Sequence, residues 1–253
     1  MFNVVNERPR LVFLTPLPFM LIGAYGATHF PVHPLSEFVA IVFNLFMAAP
    51  CFWALSKVLD YKRCIKLIVS LSIFAWTIES LGIVTGFPYG AFRYGKGMGP
   101  LLFDTVPAIL PLSYLPLILA LLVLLPWNSL SKVQKVIFGS VFLTAFDLVL
   151  DPGATHLKYW IWPEGGIYYS VPISNFLGWL LSGAIASYIL HSFLPQLPSK
   201  PSPLIASTFF WSLFFWTSVA LLNAHWIAFA TGLILLFYTW QKVLARKCNV
   251  QPS

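Results

Sequence analysis

Three carboxyl groups within apolar stretches are the residues of this sequence best suited to chemistry. Asp147 and Asp151 are four residues apart, a spacing that places both side chains on one face of a helix. Like charges so placed resist ionising together, and apolar surroundings penalise the charged form further. The spacing therefore predicts a carboxylic acid that stays protonated near neutral pH. Glu79 is also enclosed by apolar residues. Insertion of a carboxylate in such a span costs about 3 kcal/mol, so Glu79 is expected to face the protein interior and to have a functional role.

The elements that carry these acids are expected to be membrane-spanning helices. Of the 253 residues, 58% are hydrophobic and 9% are charged, whereas a soluble domain carries about 25% charged residues. Apolar stretches of about 20 residues, enough to cross a bilayer as an α-helix, recur along the whole chain. The sequence therefore predicts an all-α, polytopic transmembrane helix bundle of about eight spans, with residues 1–253 forming a single integral membrane domain. The predicted spans are residues 11–29, 36–56, 65–85, 106–126, 134–151, 174–194, 204–222 and 225–243.

The basic residues set the predicted orientation of the bundle. With eight spans and a cytoplasmic N-terminus, twelve of the 15 Lys and Arg residues fall on the cytoplasmic side, as the positive-inside rule requires. Both termini are then cytoplasmic, in a multi-pass protein of the cell membrane. The net charge is +7, but the basic residues are spread between the spans rather than gathered in one stripe. They therefore indicate membrane topology and not nucleic-acid binding. Residues 204–243 could also form one long element, although residues 223–225 offer a break.

Two long connections on the outer side, residues 86–105 and 152–173, are crowded with Gly, Pro and aromatic residues. Loops of this kind on a rigid scaffold are where function usually lies. Tyr89 and Tyr94 could belong to an interfacial aromatic belt or to a pocket, and the sequence leaves both readings open. The other candidates near the acids are Arg93, Asp104, Trp160, Trp162, Tyr168 and Asn175.

The cysteines and histidines do not suggest a metal centre. Cys51, Cys64 and Cys248 are far apart and are interpreted as packing residues. The five histidines are scattered, whereas membrane di-iron oxygenases need clusters of closely spaced histidines. The sequence also has no Walker loop and no dinucleotide-binding fingerprint, so we expect neither a metal nor another cofactor.

Four motifs occur in order between residues 76 and 180. The first is ESLGIVTGFPYGAFRY from Glu79 to Tyr94, and the second is a set of single prolines in Gly99-Pro100, Val106-Pro107 and Leu110-Pro111-Leu112. The third is DLVLDPGA from Asp147 to Ala154, and the fourth is residues 168–179 with Ser174-Asn175-Phe176 and Gly178-Trp179. Together they resemble the carotenoid biosynthesis membrane proteins, a family that includes the carotenoid hydratases. The resemblance covers residues 76–180 as a signature core, and both ends of the chain match only in being apolar.

The resemblance implies the cofactor-independent addition of water across the terminal double bond of an acyclic carotenoid end group, which leaves a tertiary alcohol. Such a reaction needs a neutral carboxylic acid in a dry pocket and a placed water, and aromatic faces would stabilise the cation. From their placement, we expect Asp151 or Asp147 to donate the proton and Glu79 to orient the water. The expected substrate contacts are Tyr89, Arg93, Tyr94, Asp104, Trp160, Trp162, Tyr168 and Asn175, the last holding water or a carboxyl group.

Two departures from the family pattern leave the carotenoid open. Asp104-Thr105 stands where a glycine is expected, and Ser113-Tyr114 where a tryptophan is expected. A sequence pI of about 9.4 argues against a salt-adapted host, so lycopene or a monocyclic carotene is as plausible a substrate as longer pigment precursors. The expected partners are a carotenoid dissolved in the bilayer and other enzymes of the carotenoid pathway.

Other classes of function fit part of the sequence. Acids within membrane spans also mark proton-coupled transporters, although the two outer connections show no common order of the kind that paired halves would give. A non-catalytic scaffold that binds carotenoid or lipid would need no acids. A lyase, an isomerase or another prenyl-lipid enzyme would use the same protonated alkene.

Overall fold

The fold is a bundle of α-helices in the computed structural model, which describes residues 9–30, 36–95, 99–198 and 200–244. Each predicted span contains a helix, so the all-α prediction is confirmed for these residues. The two chain ends and Cys248 lie outside the described residues, and the cytoplasmic location of the termini stays a prediction. The helices are α1 (Pro9–Leu14), α2 (Leu17–His29), α3 (Ser36–Leu55), α4 (Tyr61–Thr85), α5 (Leu110–Leu124), α6 (Lys132–His156), α7 (Ile173–Phe193), α8 (Ser207–Leu222) and α9 (Trp226–Leu244).

Six helical segments of the described chain are long and apolar enough to cross a membrane. Helix α5 is apolar but has 15 residues, a length of about 22 Å, which is shorter than the ~30 Å hydrocarbon core. Helices α8 and α9 are separate, since one ends at Leu222 and the next begins at Trp226. The protein is thus a helical membrane protein, and the number of eight crossings stays a prediction. The six segments are Arg10–His29, Glu37–Leu55, Tyr61–Thr85, Lys132–His156, Ile173–Phe193 and Pro203–Leu222.

Helix α5 lies at the centre of the bundle. Every side chain from Tyr114 to Leu124 is buried, and α5 contacts α3, α4, α6, α7, α8 and α9. A helix that is apolar on all sides is stable only where other helices surround it. The helices α2, α3 and α9 at the periphery of the bundle instead expose large apolar side chains such as Phe19, Phe46 and Phe237, which suits contact with lipid.

Small residues bring α6 and α7 into close contact. A Cβ atom added at Gly139 would lie 2.2 Å from Oγ of Ser187, and one at Gly183 would lie 3.2 Å from Cα of Ser140. Small residues let helix backbones approach in membrane bundles, where the hydrophobic effect contributes little to association. At the other end of this contact, a hydrogen bond from Asn175 to Asp147 joins the start of α7 to the C-terminal half of α6.

Short strands join the two outer connections into one structure. Strand β1 (Arg93–Tyr94) pairs antiparallel with β4 (Trp160–Ile161), while β2 (Leu101–Leu102) and β3 (Val106–Pro107) form a hairpin. Gly95 approaches the other connection so closely that a Cβ atom there would lie 1.9 Å from the Lys158 carbonyl oxygen. Because residues 106–107 belong to this hairpin, the span predicted at 106–126 was wrong at its start.

Candidate active site

A cavity of about 640 Å³ lies among α2 to α8 beneath the paired outer connections. This volume is in the range of small-molecule pockets, which are mostly apolar with a few placed polar groups. Of the described residues that line the cavity, none is Lys, Arg or His. A carboxylate that faces this cavity therefore has no basic partner there. The lining carboxyl and amide groups are Asn44, Glu79, Asp151 and Asn175.

One amide group joins the two aspartates of α6. The Asn175 side-chain nitrogen donates to Oδ2 of Asp147 at 2.8 Å and also to Oδ2 of Asp151. All three side chains are at most 3% exposed. Asp151 and Asn175 line the cavity, whereas Asp147 lies behind them. Two charged carboxylates this close in an apolar setting would be costly, so the arrangement suits a pair that keeps a proton.

The turn of α6 that carries Asp151 has external support from Tyr168. Pro152 lies inside the helix and has no N–H group to donate to the carbonyl of Leu148. The Tyr168 hydroxyl donates to that carbonyl instead, at 3.0 Å. The Tyr168 ring packs against Phe176, with ring centroids 5.4 Å apart, and does not line the cavity. Tyr168 thus supports the acid-bearing helix rather than forming a wall of the cavity.

Glu79 faces the cavity from α4 and is held by Tyr94. The Tyr94 hydroxyl donates to Oε2 of Glu79 at 3.1 Å, and Glu79 is 7% exposed. Burial and the neighbouring Glu79 raise the pKa of Tyr94 well above its ordinary value, so the phenol keeps its proton and remains a donor. Tyr94 lies opposite Trp160 in the strand pair, and the Trp160 indole lies beside Asp151. The strand pair thereby links both acid-bearing walls.

The Tyr89 ring fits between α4 and α7 because each helix has a glycine where the ring approaches its backbone. A Cβ atom at Gly82 of α4 would lie 2.8 Å from the Tyr89 ring, and one at Gly178 of α7 would lie 2.5 Å from it. The Ser174 hydroxyl donates to the Tyr89 carbonyl oxygen at 2.9 Å. Burial raises the pKa of Tyr89 well above its ordinary value, and the nearby charge of Glu79 adds to this shift. Tyr89 and Tyr94 both line the cavity, which favours the pocket over the aromatic belt.

The structure brings most of the predicted residues together and leaves four outside the cavity lining. Arg93 is exposed because successive side chains of a strand point to opposite faces, and Tyr94 points inward. Asp104 is exposed in the turn of the β2–β3 hairpin, with φ of 55°. Tyr168 and Asp147, which lie behind the lining residues, are the other two. The predicted residues that line the cavity are Glu79, Tyr89, Tyr94, Asp151, Trp160, Trp162 and Asn175.

Sequence reasoning missed the polar residues at the base of the cavity. Tyr114 of α5 lines the cavity, is 3% exposed and has its ring 5.7 Å from that of Trp179. Ser182 of α7 is fully buried beside Tyr114. A single neutral hydroxyl in an apolar helix does not distinguish a functional residue from an ordinary packing residue in the sequence. Only the departure at Ser113-Tyr114 from the expected tryptophan pointed to this position.

Comparisons with known proteins agree with the resemblance. A family model described as "Carotenoid biosynthesis protein" matches residues 36–239. The chain is 31% identical over 209 residues to bisanhydrobacterioruberin hydratase of Haloarcula japonica, and the aligned region covers 77% of this chain and 69% of that protein. No solved structure matches the chain. The family match contains Glu79, Asp147, Asp151 and Asn175.

Proposed function

The chain belongs to the carotenoid biosynthesis protein family, and we propose that it is a hydratase of the cell membrane that adds water to the terminal double bond of an acyclic carotenoid end group. The observation that carries the proposal is a buried carboxyl group, Asp151, that faces an apolar, aromatic cavity with a second carboxyl group behind it. The product is a tertiary alcohol. Acid and water supply every atom that is added, so the reaction needs no cofactor.

The cavity suits the end of a long apolar polyene. Helices α2 and α3 contribute Ala27, Val39, Ala40 and Phe43 to its lining, and the outer faces of these helices are rich in exposed apolar side chains. A carotenoid dissolved in the bilayer would therefore reach the cavity sideways, between these two helices. Its end group would come to lie between Asp151 and Glu79.

Protonation of the alkene is assigned to Asp151. The π electrons of the terminal double bond form a C–H bond with the acid proton, the O–H bond breaks, and a tertiary carbocation faces the new carboxylate. Asp147 and Asn175 hold Asp151 in place, and Asn175 stabilises the carboxylate by donating to it. A positioned acid of this kind contributes about 10²–10⁴-fold in rate.

The aromatic lining suits the cation that forms. Phe92, Tyr94, Trp160 and Trp162 form a continuous group, with the rings of Phe92 and Trp162 5.1 Å apart and those of Tyr94 and Trp160 6.3 Å apart. The electron-rich faces of such rings attract a cation by about 0.5–2 kcal/mol each. They also keep bulk water away, so that the cation meets only a placed water molecule.

Capture of the cation is assigned to a water molecule oriented by Glu79. The water oxygen forms the C–O bond and its proton passes to the Glu79 carboxylate, which completes the tertiary alcohol. Asp151 has then lost one proton and Glu79 has gained one. Transfer of that proton back to Asp151 through water restores the starting state, so the reaction consumes only water.

Expression of the chain in a bacterium that accumulates lycopene tests the proposal. Extracted pigments are separated by liquid chromatography and weighed by mass spectrometry. The proposal predicts a new pigment heavier than lycopene by one water. Unchanged pigment, from protein shown to reside in the membrane and given several acyclic carotenoids in turn, would contradict hydration and favour transport or a scaffold.

Two aspartate variants give the test a matched pair. Asp151→Asn keeps the shape of the side chain but removes the acid, and the hydrated pigment should fall by about 10²-fold or more. Asp104→Asn makes the same chemical change on an exposed turn outside the cavity, and the hydrated pigment should stay at the wild-type level. Equal hydration by both variants would remove Asp151 from the mechanism.

A further inference from the structure

Three buried hydroxyl groups meet at the base of the cavity. Tyr89 is 1% exposed, Tyr114 is 3% exposed and Ser182 is fully buried. Ser182 lies beside both phenols. Within the described chain, none of the three oxygens has a hydrogen-bond partner at good geometry, although Ser182 is close enough to each phenol to interact with it. Native proteins rarely leave buried polar groups unpaired, so three of them in one place indicate a polar ligand.

The surroundings of these hydroxyls identify that ligand as water. Tyr89 and Tyr114 line the cavity, and Tyr114 is also close enough to Glu79 and Asp147 to interact with both acids. Oδ1 of Asp147 is a further buried oxygen without a partner in the described residues. A buried water needs two to four polar partners. The hydroxyls can donate and accept, so together with the acids they offer the full set.

We propose that the hydroxyls of Tyr89, Tyr114 and Ser182 hold the water molecule that captures the carbocation, and that they act as positioning residues. This inference rests on the hydratase function proposed above. Tyr89 and Tyr114 fix the water at the cavity wall, and Ser182 holds it from behind. Glu79 then takes the proton of a water molecule whose oxygen already faces the cation.

The inference concerns how the cation is consumed and not how it forms. When the water is in place, its oxygen forms the C–O bond and its proton goes to Glu79. When the water is displaced, the cation returns a proton from a neighbouring carbon to the Asp151 carboxylate, and the electrons of that C–H bond form a double bond again. The carotenoid is then released without water, either unchanged or with its double bond shifted.

Deuterium oxide separates these two fates. Membranes that contain the protein are incubated with an acyclic carotenoid in deuterium oxide, and mass spectrometry measures both the hydrated product and the deuterium in the unhydrated carotenoid. Protonation followed by proton loss leaves deuterium in carotenoid that has gained no water. The ratio of this exchange to hydration therefore reports on capture alone, and a loss of folded protein does not change it.

Tyr114→Phe and Ser182→Ala should each raise the exchange-to-hydration ratio about tenfold, which corresponds to the loss of one hydrogen bond to the water. Ser187→Ala is the matched control. Ser187 is on the same helix, is fully buried and also lacks a partner in the described chain, but it packs against Gly139 away from the cavity. This control should keep the wild-type ratio.

The outcomes distinguish the inference from the function on which it rests. Wild-type ratios in both Tyr114→Phe and Ser182→Ala, with hydration by the wild-type protein intact, would overturn the water site and leave the hydratase function standing. Neither hydration nor exchange in the wild-type protein would overturn both. If Tyr114→Phe fails to accumulate, Ser182→Ala, which removes a single oxygen atom, decides the question alone.

Discussion

Replacement of Gly178 by alanine should perturb the candidate active site through packing alone. A Cβ atom at this position would lie 2.5 Å from Cδ1 of Tyr89 and 2.9 Å from the carbonyl oxygen of Pro88, whereas ordinary contacts begin at 3.4 Å. The Tyr89 ring cannot retreat, since on its other side it lies against the backbone of Gly82. The connection that carries Tyr89 must therefore move outward as a unit, and Tyr94 moves with it.

The size of the effect follows from the overlap. Relief of the contact requires a displacement of about 1 Å, and a misplacement of this size at an active site lowers the rate by about 10²-fold. Overpacking of this kind also destabilises a fold by about 1–3 kcal/mol. We therefore expect Gly178→Ala to lose about 99% of the hydration activity per folded molecule, with a modest fall in unfolding temperature.

Hydrated carotenoid per unit of membrane protein, together with thermal unfolding in detergent, measures both effects. The control is Gly232→Ala on α9, where an added Cβ would lie 2.2 Å from Oγ1 of Thr217, and neither residue lines the cavity. This change overpacks a helix contact away from the cavity, so it should lower the unfolding temperature and keep the wild-type hydration activity per folded molecule. Wild-type activity in Gly178→Ala would refute the reasoning, because the position of Tyr89 and Tyr94 would then not matter to the reaction.

Three further substitutions probe the contacts around the acids. Tyr94→Phe should lower hydration about tenfold through loss of the donor to Glu79. The pKa of Tyr94 is raised well above its ordinary value, so in the wild-type protein its phenol keeps its proton as the pH rises through the neutral range. The wild-type protein and Tyr94→Phe should therefore lose activity at the same alkaline pH. A difference between the two on the alkaline side of the pH–rate profile would contradict this. Asn175→Ala should abolish hydration and destabilise the fold by about 1–3 kcal/mol, since two buried carboxyl groups lose their shared donor; an unchanged thermal unfolding curve would count against that role. Tyr168→Phe leaves the Leu148 carbonyl without its donor and should cost about 1 kcal/mol in the same unfolding assay, with a smaller loss of activity than Asn175→Ala.

The parts of the site that depend on local spacing could be predicted from sequence. The four-residue interval between Asp147 and Asp151 places both carboxyl groups on one face of α6, and the structure shows both bound to the same amide. The isolated acid Glu79 was expected to face the interior, and it does. Each of these predictions needs only the helical period and the penalty for a charge in an apolar span.

The parts that depend on contacts between distant segments could not be predicted. Pairing of β1 with β4 turns Tyr94 inward and Arg93 outward, and nothing near either residue specifies that register. Tyr168 satisfies a carbonyl freed by Pro152, which is visible only once the connection has folded back onto α6. Tyr114 and Ser182 belong to different helices, and their common pocket arises from the packing of those helices.

The source of the new hydroxyl oxygen tests the central claim most directly. Membranes that contain the protein are incubated with an acyclic carotenoid in water enriched in the heavy oxygen isotope, without molecular oxygen, and the product is weighed by mass spectrometry. The proposed mechanism predicts a tertiary alcohol that carries the heavy isotope and is absent with Asp151→Asn. An alcohol that forms only when molecular oxygen is supplied, with the oxygen of that gas, would contradict it.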